Sequence, residues 1–119
     1  MRRTAIIALV ALLFGIVAAQ PAAQRASAED SAAASVAIKD FEFQPKELKV
    51  KTGATVTWTN DGSSSHTVTS DDGSFESPTF AKGKTYSRKF DKPGTYPYYC
   101  ALHGGAGGDG MSGAIVVTP

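Results

Sequence analysis

The stretch from Tyr98 to Met111, YYCALHGGAGGDGM, contains the residues around which the rest of this sequence is organised. It holds the single cysteine, Cys100, together with His103 and Met111, in the spacing C-x2-H-x7-M. The second histidine of the chain, His66, lies upstream, just after a strand-like run. One thiol, two imidazoles and one thioether form a soft set of sulfur and nitrogen donors. The pattern predicts that these four side chains bind a metal ion.

Each of these residues also has a purely structural reading, because free cysteine is often a small buried apolar side chain. The combination favours a metal site, since Cys100 ends a strand and a tight turn can direct it and His103 at one point. The glycines that follow let the chain fold back to Met111, because glycine tolerates backbone angles forbidden to other residues. A His2Cys set with a weak Met suits copper. Zinc normally takes four strong ligands, and a catalytic Cys–His pair needs an orienting third group.

Residues 1–28 have the pattern of an export signal. A basic start, MRR, precedes the apolar run Thr4–Ala19, and Ala26-Ser27-Ala28 forms an A-x-A cleavage site before Glu29. An earlier cleavage site and a retained membrane anchor are the alternatives, although a membrane span needs about twenty apolar residues. We therefore predict an exported protein, located in the periplasm, outside the cell or in a thylakoid lumen.

Cleavage before Glu29 leaves one small domain, predicted at 36–119, behind a short polar tether at 29–35. Three arginines leave with the leader, so nine Lys and Arg remain against eleven Asp and Glu. This balance excludes a basic surface of the kind that binds nucleic acid. A single cysteine also excludes an internal disulfide, which leaves burial, pairing with another chain, reactivity or metal binding for Cys100.

From Val36 onward the sequence has short alternating apolar runs separated by turn residues, which is typical of an all-β domain. The segment 55–60 places Val56 and Trp58 on one face and threonines on the other. Further strands are predicted at 66–69, 95–100 and 114–118, with a long irregular segment at 71–83. About seven or eight strands at this spacing predict a Greek-key β-sandwich. No helix is predicted after the leader.

The sequence resembles the type 1 (blue) copper proteins of the cupredoxin family, of the plastocyanin, pseudoazurin and amicyanin kind. The resemblance covers residues 36–118, and five features carry it: FEFQP at 41–45, G-x-x-V-x-W-x-N at 53–60, the isolated His66, PGTYPYYC at 93–100, and the final histidine followed by GMSG. Two features depart from plastocyanin. Seven residues instead of four separate the last His from Met, and Leu102 replaces a proline.

The resemblance implies one type 1 copper ion, with His66, Cys100 and His103 as equatorial ligands and Met111 as the weak axial ligand. It also implies a protein that is not an enzyme: a monomer without a membrane span in its mature form, which shuttles single electrons between partner proteins. A copper carrier or storage protein is the alternative function.

The resemblance further implies that His103 and Leu102 lie where electrons enter. The backbone N–H of Thr67 is expected to donate to the Cys100 sulfur, and the N–H of Leu102 is a candidate second donor. An acidic group, formed by Asp71, Asp72 and Glu76, is either a docking patch for a partner or a solvated loop.

Overall fold

The computed structural model describes residues 33–119, which form eight strands in two four-stranded sheets. Within this range there is no helix, and so none that is long and apolar enough to cross a membrane. The predicted leader and the first residues of the predicted tether lie outside the described residues. The all-β sandwich predicted from the sequence is confirmed. The strands are β1 Ala33–Lys39, β2 Glu42–Gln44, β3 Glu47–Lys51, β4 Thr55–Asn60, β5 Thr69–Ser70, β6 Thr85–Lys89, β7 Gly94–Gly105 and β8 Asp109–Thr118.

The first sheet has the strand order β2-β1-β4-β6 and the second has the order β3-β8-β7-β5. Two pairs, β1 with β4 and β3 with β8, are parallel, and the remaining pairs are antiparallel. β1 begins at Ala33, earlier than the predicted domain start at Val36, because residues 33–35 pair with β4. The first sheet therefore includes the last three residues of the segment predicted as a tether.

The core is built by the alternation that a strand imposes on its side chains. In β4, Val56 and Trp58 are buried, while the threonines beside them are half-buried. Trp58 packs edge-on against Tyr98 of β7 in the opposite sheet, with 5.4 Å between ring centroids. Truncating a buried Trp typically costs about 3–5 kcal/mol of stability. This contact joins the two sheets two residues before Cys100, and so it braces that end of the sandwich.

The segment from His66 to Thr69 was predicted as a strand, and this prediction is wrong except at its last residue. β5 consists of Thr69 and Ser70 alone, whereas His66 forms an isolated bridge with Phe80. A side chain interrupts the ladder here, because the N–H of Val68 donates to the hydroxyl of Ser77 at 2.8 Å. The serine hydroxyl takes the place of a cross-strand carbonyl as acceptor. His66 therefore lies in an irregular segment in which the N–H groups of residues 66–68 are all hydrogen-bonded.

The hairpin of β7 and β8 is longer than the sequence suggested. We predicted strands only at 95–100 and 114–118, with a glycine loop between them, and that loop prediction is wrong. β7 continues to Gly105 and β8 begins at Asp109. The pairing breaks after Tyr99 and resumes at Gly104, so the four residues 100–103 lie opposite a single residue of β8, Met111.

Glycine allows this hairpin to form because its two strands approach very closely. A Cβ atom on Gly104 would lie 2.6 Å from the carbonyl oxygen of Asp109, and one on Gly110 would lie 2.7 Å from that of His103. Gly110 also has a φ of +65°, which side-chain-bearing residues rarely adopt. The extra residues between His103 and Met111 are thus taken up by an ordered hairpin tip.

Candidate metal centre

Three side chains converge at one end of the sandwich. The sulfur of Cys100 lies 3.6 Å from Nδ1 of His66 and 3.5 Å from Nδ1 of His103. One donor atom from each residue lies within 4.8 Å of the others. Cys100 and His66 are fully buried, whereas His103 lies at the surface. The structure thus brings together the cysteine and the two histidines that the sequence predicted as ligands.

Two segments of the chain hold the three side chains: β7 carries Cys100 and His103, and the segment between β4 and β5 carries His66. Cys100 lies in β7, two residues after the buried Tyr98, so strand alternation directs both side chains inward. The backbone of His66 is fixed by two hydrogen bonds with Phe80, of 3.1 and 3.0 Å. His103 follows Cys100 within the four-residue break in the pairing of β7 with β8.

Met111, the fourth predicted ligand, lies directly opposite this break. Its side chain is buried, with 3% of its surface exposed. Strand pairing therefore places it beside the cysteine and the second histidine despite the long spacing in sequence. This arrangement is consistent with a weak fourth contact at the centre.

The spacing of the donors fits a single metal ion. With metal–sulfur and metal–nitrogen bonds of about 2.3 and 2.0 Å, a trigonal arrangement separates sulfur from nitrogen by about 3.7 Å. The observed separations of 3.6 and 3.5 Å are close to this value. A thiolate with two imidazoles and a thioether nearby is the donor set that suits copper.

The Cys100 sulfur accepts one backbone hydrogen bond, from the N–H of Thr67 at 3.4 Å, as the resemblance implied. The hydroxyl of Thr67 in turn accepts the N–H of Ala101 at 2.8 Å, which ties the two ligand-bearing segments together. The expected second donor is not found. Within residues 33–119, no hydrogen bond joins the Leu102 N–H to the sulfur, and Leu102 lies in the four-residue break where β7 is not paired with β8.

A carboxylate that the sequence analysis missed contacts the first histidine. Asp40, in the turn between β1 and β2, has its Oδ1 2.9 Å from Nε2 of His66. The hydrogen bond with His66, followed by those from the backbone of Ser64 and Ser63, lowers the pKa of Asp40 to about 2. No spacing rule links residues 26 positions apart, so only the folded chain reveals this pair.

The second histidine has an aromatic neighbour instead. The ring of Phe41 packs edge-on against that of His103, with 4.8 Å between centroids. Phe41 and Leu102 are the large hydrophobic side chains that remain exposed in the described part of the chain, at 57% and 52%. Together, Phe41, Leu102 and His103 form an apolar surface around the exposed side of the site.

Two members of the predicted acidic group are engaged within the protein. Asp71 accepts the N–H of Gly107 at 2.9 Å, which ties the hairpin tip to the segment after β5. Asp72 is hydrogen-bonded to Ser70 and Ser74, and the bond with Ser70 is the main cause that lowers its pKa to about 2. Glu76 is exposed. A local structural role for two of the three acids is thus observed.

A buried thiol and two imidazoles at one end of a two-sheet sandwich define a mononuclear metal protein of the cupredoxin type. The chain belongs to the cupredoxin-like domain family, which matches residues 5–117. It is 38% identical over 86 residues to plastocyanin of Scenedesmus fuscus, across 63% of this chain and 85% of the plastocyanin.

It is also 35% identical over 111 residues to amicyanin-alpha of Methylorubrum extorquens, across 87% of this chain and 89% of that protein. Among solved structures, the reduced Cu(I) form of an amicyanin mutant at pH 4 is similar, with a TM-score of 0.62 and 32% identity. That match covers 71% of this chain and 81% of the amicyanin. The family predicted from the sequence motifs is confirmed.

Proposed function

We propose that this protein is a blue copper protein that carries single electrons between partner proteins and catalyses no reaction of its own. The equatorial ligands are His66, Cys100 and His103, and Met111 is the axial ligand. The observation that carries the proposal is the convergence of one buried sulfur and two Nδ1 atoms at separations that fit one ion. The similarity to plastocyanin and amicyanin supports it.

Bound copper supplies the one-electron redox chemistry. The protein supplies a ligand set that suits neither Cu(I) nor Cu(II) ideally, so that little has to move on electron transfer. The sandwich keeps the set in place: the Trp58–Tyr98 contact braces β7 below Cys100, and the Thr67 hydrogen bonds link the two ligand segments.

Electrons enter and leave through the apolar surface formed by Phe41, Leu102 and His103. The ring of His103 is accessible at this surface. An apolar contact permits a partner protein to bind briefly and to dissociate. The protein acts as a monomer outside the cytoplasm, in agreement with the leader pattern at residues 1–28. The alternative of copper carriage is less well supported, because Cys100 and His66 are fully buried and poorly placed for rapid ligand exchange.

The experiment that tests this function is copper loading of the purified protein. One equivalent of Cu(II) should bind and produce an intense blue thiolate-to-copper charge-transfer band. Cys100→Ser should abolish the band, since a hydroxyl oxygen is a poor substitute for the soft thiolate. A blue Cys100→Ser protein would refute the assignment. Fast and reversible one-electron exchange with a redox protein supports the carrier, whereas a copper protein that exchanges no electrons favours carriage or storage.

A further inference from the structure

We propose that Asp40 is a positioning residue for the metal site, which fixes the ring of His66 and favours the oxidised metal through its negative charge. This inference rests on the proposed function. It is carried by the geometry of the turn between β1 and β2, where the carboxylate of Asp40 lies between the loop at 62–64 and the back of the His66 ring.

The contact determines which nitrogen of His66 is available to the metal. A carboxylate can only accept hydrogen bonds, and a neutral imidazole carries its proton on one nitrogen. With Asp40 Oδ1 at 2.9 Å from Nε2, the proton of His66 belongs on Nε2. The lone pair of Nδ1 then faces the sulfur of Cys100, 3.6 Å away. Metal-bound histidines commonly make such a contact with a carboxylate, which orients the ring and raises its basicity.

Asp40 is itself held rigidly on its other side. The N–H of Ser63 donates to Oδ2 at 2.8 Å, and the N–H of Ser64 donates to Oδ1 at 3.1 Å. The loop closes so tightly that a Cβ atom on Gly62 would lie 2.2 Å from Oδ1. The side chain of Asp40 keeps 26% of its surface exposed, yet both of its oxygens are engaged.

The charge of Asp40 acts mainly on the oxidised site. A negative group beside a ligand stabilises the more positive state of the metal more than the less positive one. His103 makes no comparable contact, since within residues 33–119 no carboxylate is hydrogen-bonded to its ring. Asp40 therefore influences one of the two histidines alone.

Three variants separate the hydrogen bond from the charge. Asp40→Ala removes both, whereas Asp40→Asn removes the charge and keeps one oxygen for His66 and Ser64, at the loss of the hydrogen bond from the Ser63 N–H. The matched control is Asp61→Asn, which removes a carboxylate of the neighbouring loop that pairs at 3.9 Å with Lys39 and does not touch His66. Circular dichroism and thermal unfolding establish which variants keep the fold.

The first readout needs no copper. Long-range proton–nitrogen NMR of the metal-free protein should show His66 protonated on Nε2, and Asp40→Ala should give a mixture of the two tautomers. The second readout is the affinity for Zn(II) and Cu(II) in competition with a chelator. Loss of such a partner typically weakens metal binding by about 10- to 100-fold, and we expect a loss in this range for Asp40→Ala and a smaller one for Asp40→Asn.

The third readout is the reduction potential of the copper protein. A tenfold loss of affinity for Cu(II), with the affinity for Cu(I) unchanged, raises the reduction potential by about 59 mV. Both Asp40 variants should therefore have a higher potential than wild type, whereas Asp61→Asn should not. A wild-type His66 protonated on Nδ1, or an Asp40→Asn potential that matches wild type, would overturn the proposal. If the wild-type protein bound no copper, the proposed function would fail, while the NMR result would still decide whether Asp40 orients His66.

Discussion

The two histidines of the metal site lie in opposite surroundings. His66 is fully buried, its backbone is paired with Phe80, and its ring is hydrogen-bonded to Asp40. His103 lies at the surface, where its ring packs against those of Phe41 and His66 and has no carboxylate partner among residues 33–119. The difference shows that the sandwich holds one of the proposed ligands inside its core and leaves the other at the surface.

The largest effect is expected when each histidine is replaced by glycine. Both His66→Gly and His103→Gly should lose the blue colour, because each removes an equatorial ligand. Added imidazole should restore colour to His103→Gly, since its site opens to solvent. It should restore little or none to His66→Gly, whose gap is closed off by the fold. Absorbance during an imidazole titration measures the difference.

The stability of the two variants provides the control. His66→Gly should also lower the free energy of unfolding of the metal-free protein, because it removes a fully buried ring together with its hydrogen bond to Asp40. His103→Gly should change it much less. Equal rescue of the two variants by imidazole would contradict the division between a fixed and an accessible ligand.

A smaller effect is expected at Met111, the proposed axial ligand, which the pairing of β7 and β8 places opposite residues 100–103. Met111→Leu should keep the blue band and raise the reduction potential, because a lost thioether weakens Cu(II) more than Cu(I). A tenfold change in this preference corresponds to about 59 mV. Voltammetry measures the shift. If neither spectrum nor potential changes, Met111 packs in the core without contributing to the site.

The smallest effect is on the pH dependence of stability. It compares two carboxylates, that of Asp40 beside His66 and that of Asp72 in the loop after β5. The folded-state pKa values of Asp40 and Asp72 are both about 2, below the ordinary value of 3.8. Each ionised group therefore stabilises the folded state above about pH 4, and this contribution is lost as the pH falls towards 2. Denaturant unfolding of the metal-free protein should show a weaker pH dependence in this window for Asp40→Asn and for Asp72→Asn.

The two acid variants should differ once metal is added. Asp72 is bonded to serines of its own loop and contacts no ligand, so its variant should bind Cu(II) as wild type does. Asp40→Asn should bind it more weakly. An unchanged acid response in both variants would mean that these hydrogen bonds form in the unfolded chain as well.

The β-sandwich and the family could both be predicted from the amino-acid sequence. Period-two alternation specifies strands such as β4, since a strand with one buried face needs apolar residues at every second position. Rare residue types identified the site: with one cysteine and two histidines in the chain, few ligand sets were available. Alternation is a local signal and the rarity of a residue type is a compositional one, so both can be recognised without knowledge of the fold.

Contacts between residues that are far apart in the sequence are visible only in the folded structure. The sequence predicts that the glycines after His103 let the chain fold back, but only the close approach of β7 and β8 shows that Gly104 and Gly110 belong to a paired hairpin that places Met111 opposite residues 100–103. The pairing of Asp40 with His66 joins positions 26 residues apart, with three strands between them in the chain. The N–H of Leu102, a candidate second donor, makes no hydrogen bond to the sulfur within residues 33–119, while the Leu102 side chain is exposed as expected. Hydrogen bonds and close packing between remote residues leave no periodic mark on the sequence, because their partners are chosen by how the strands assemble.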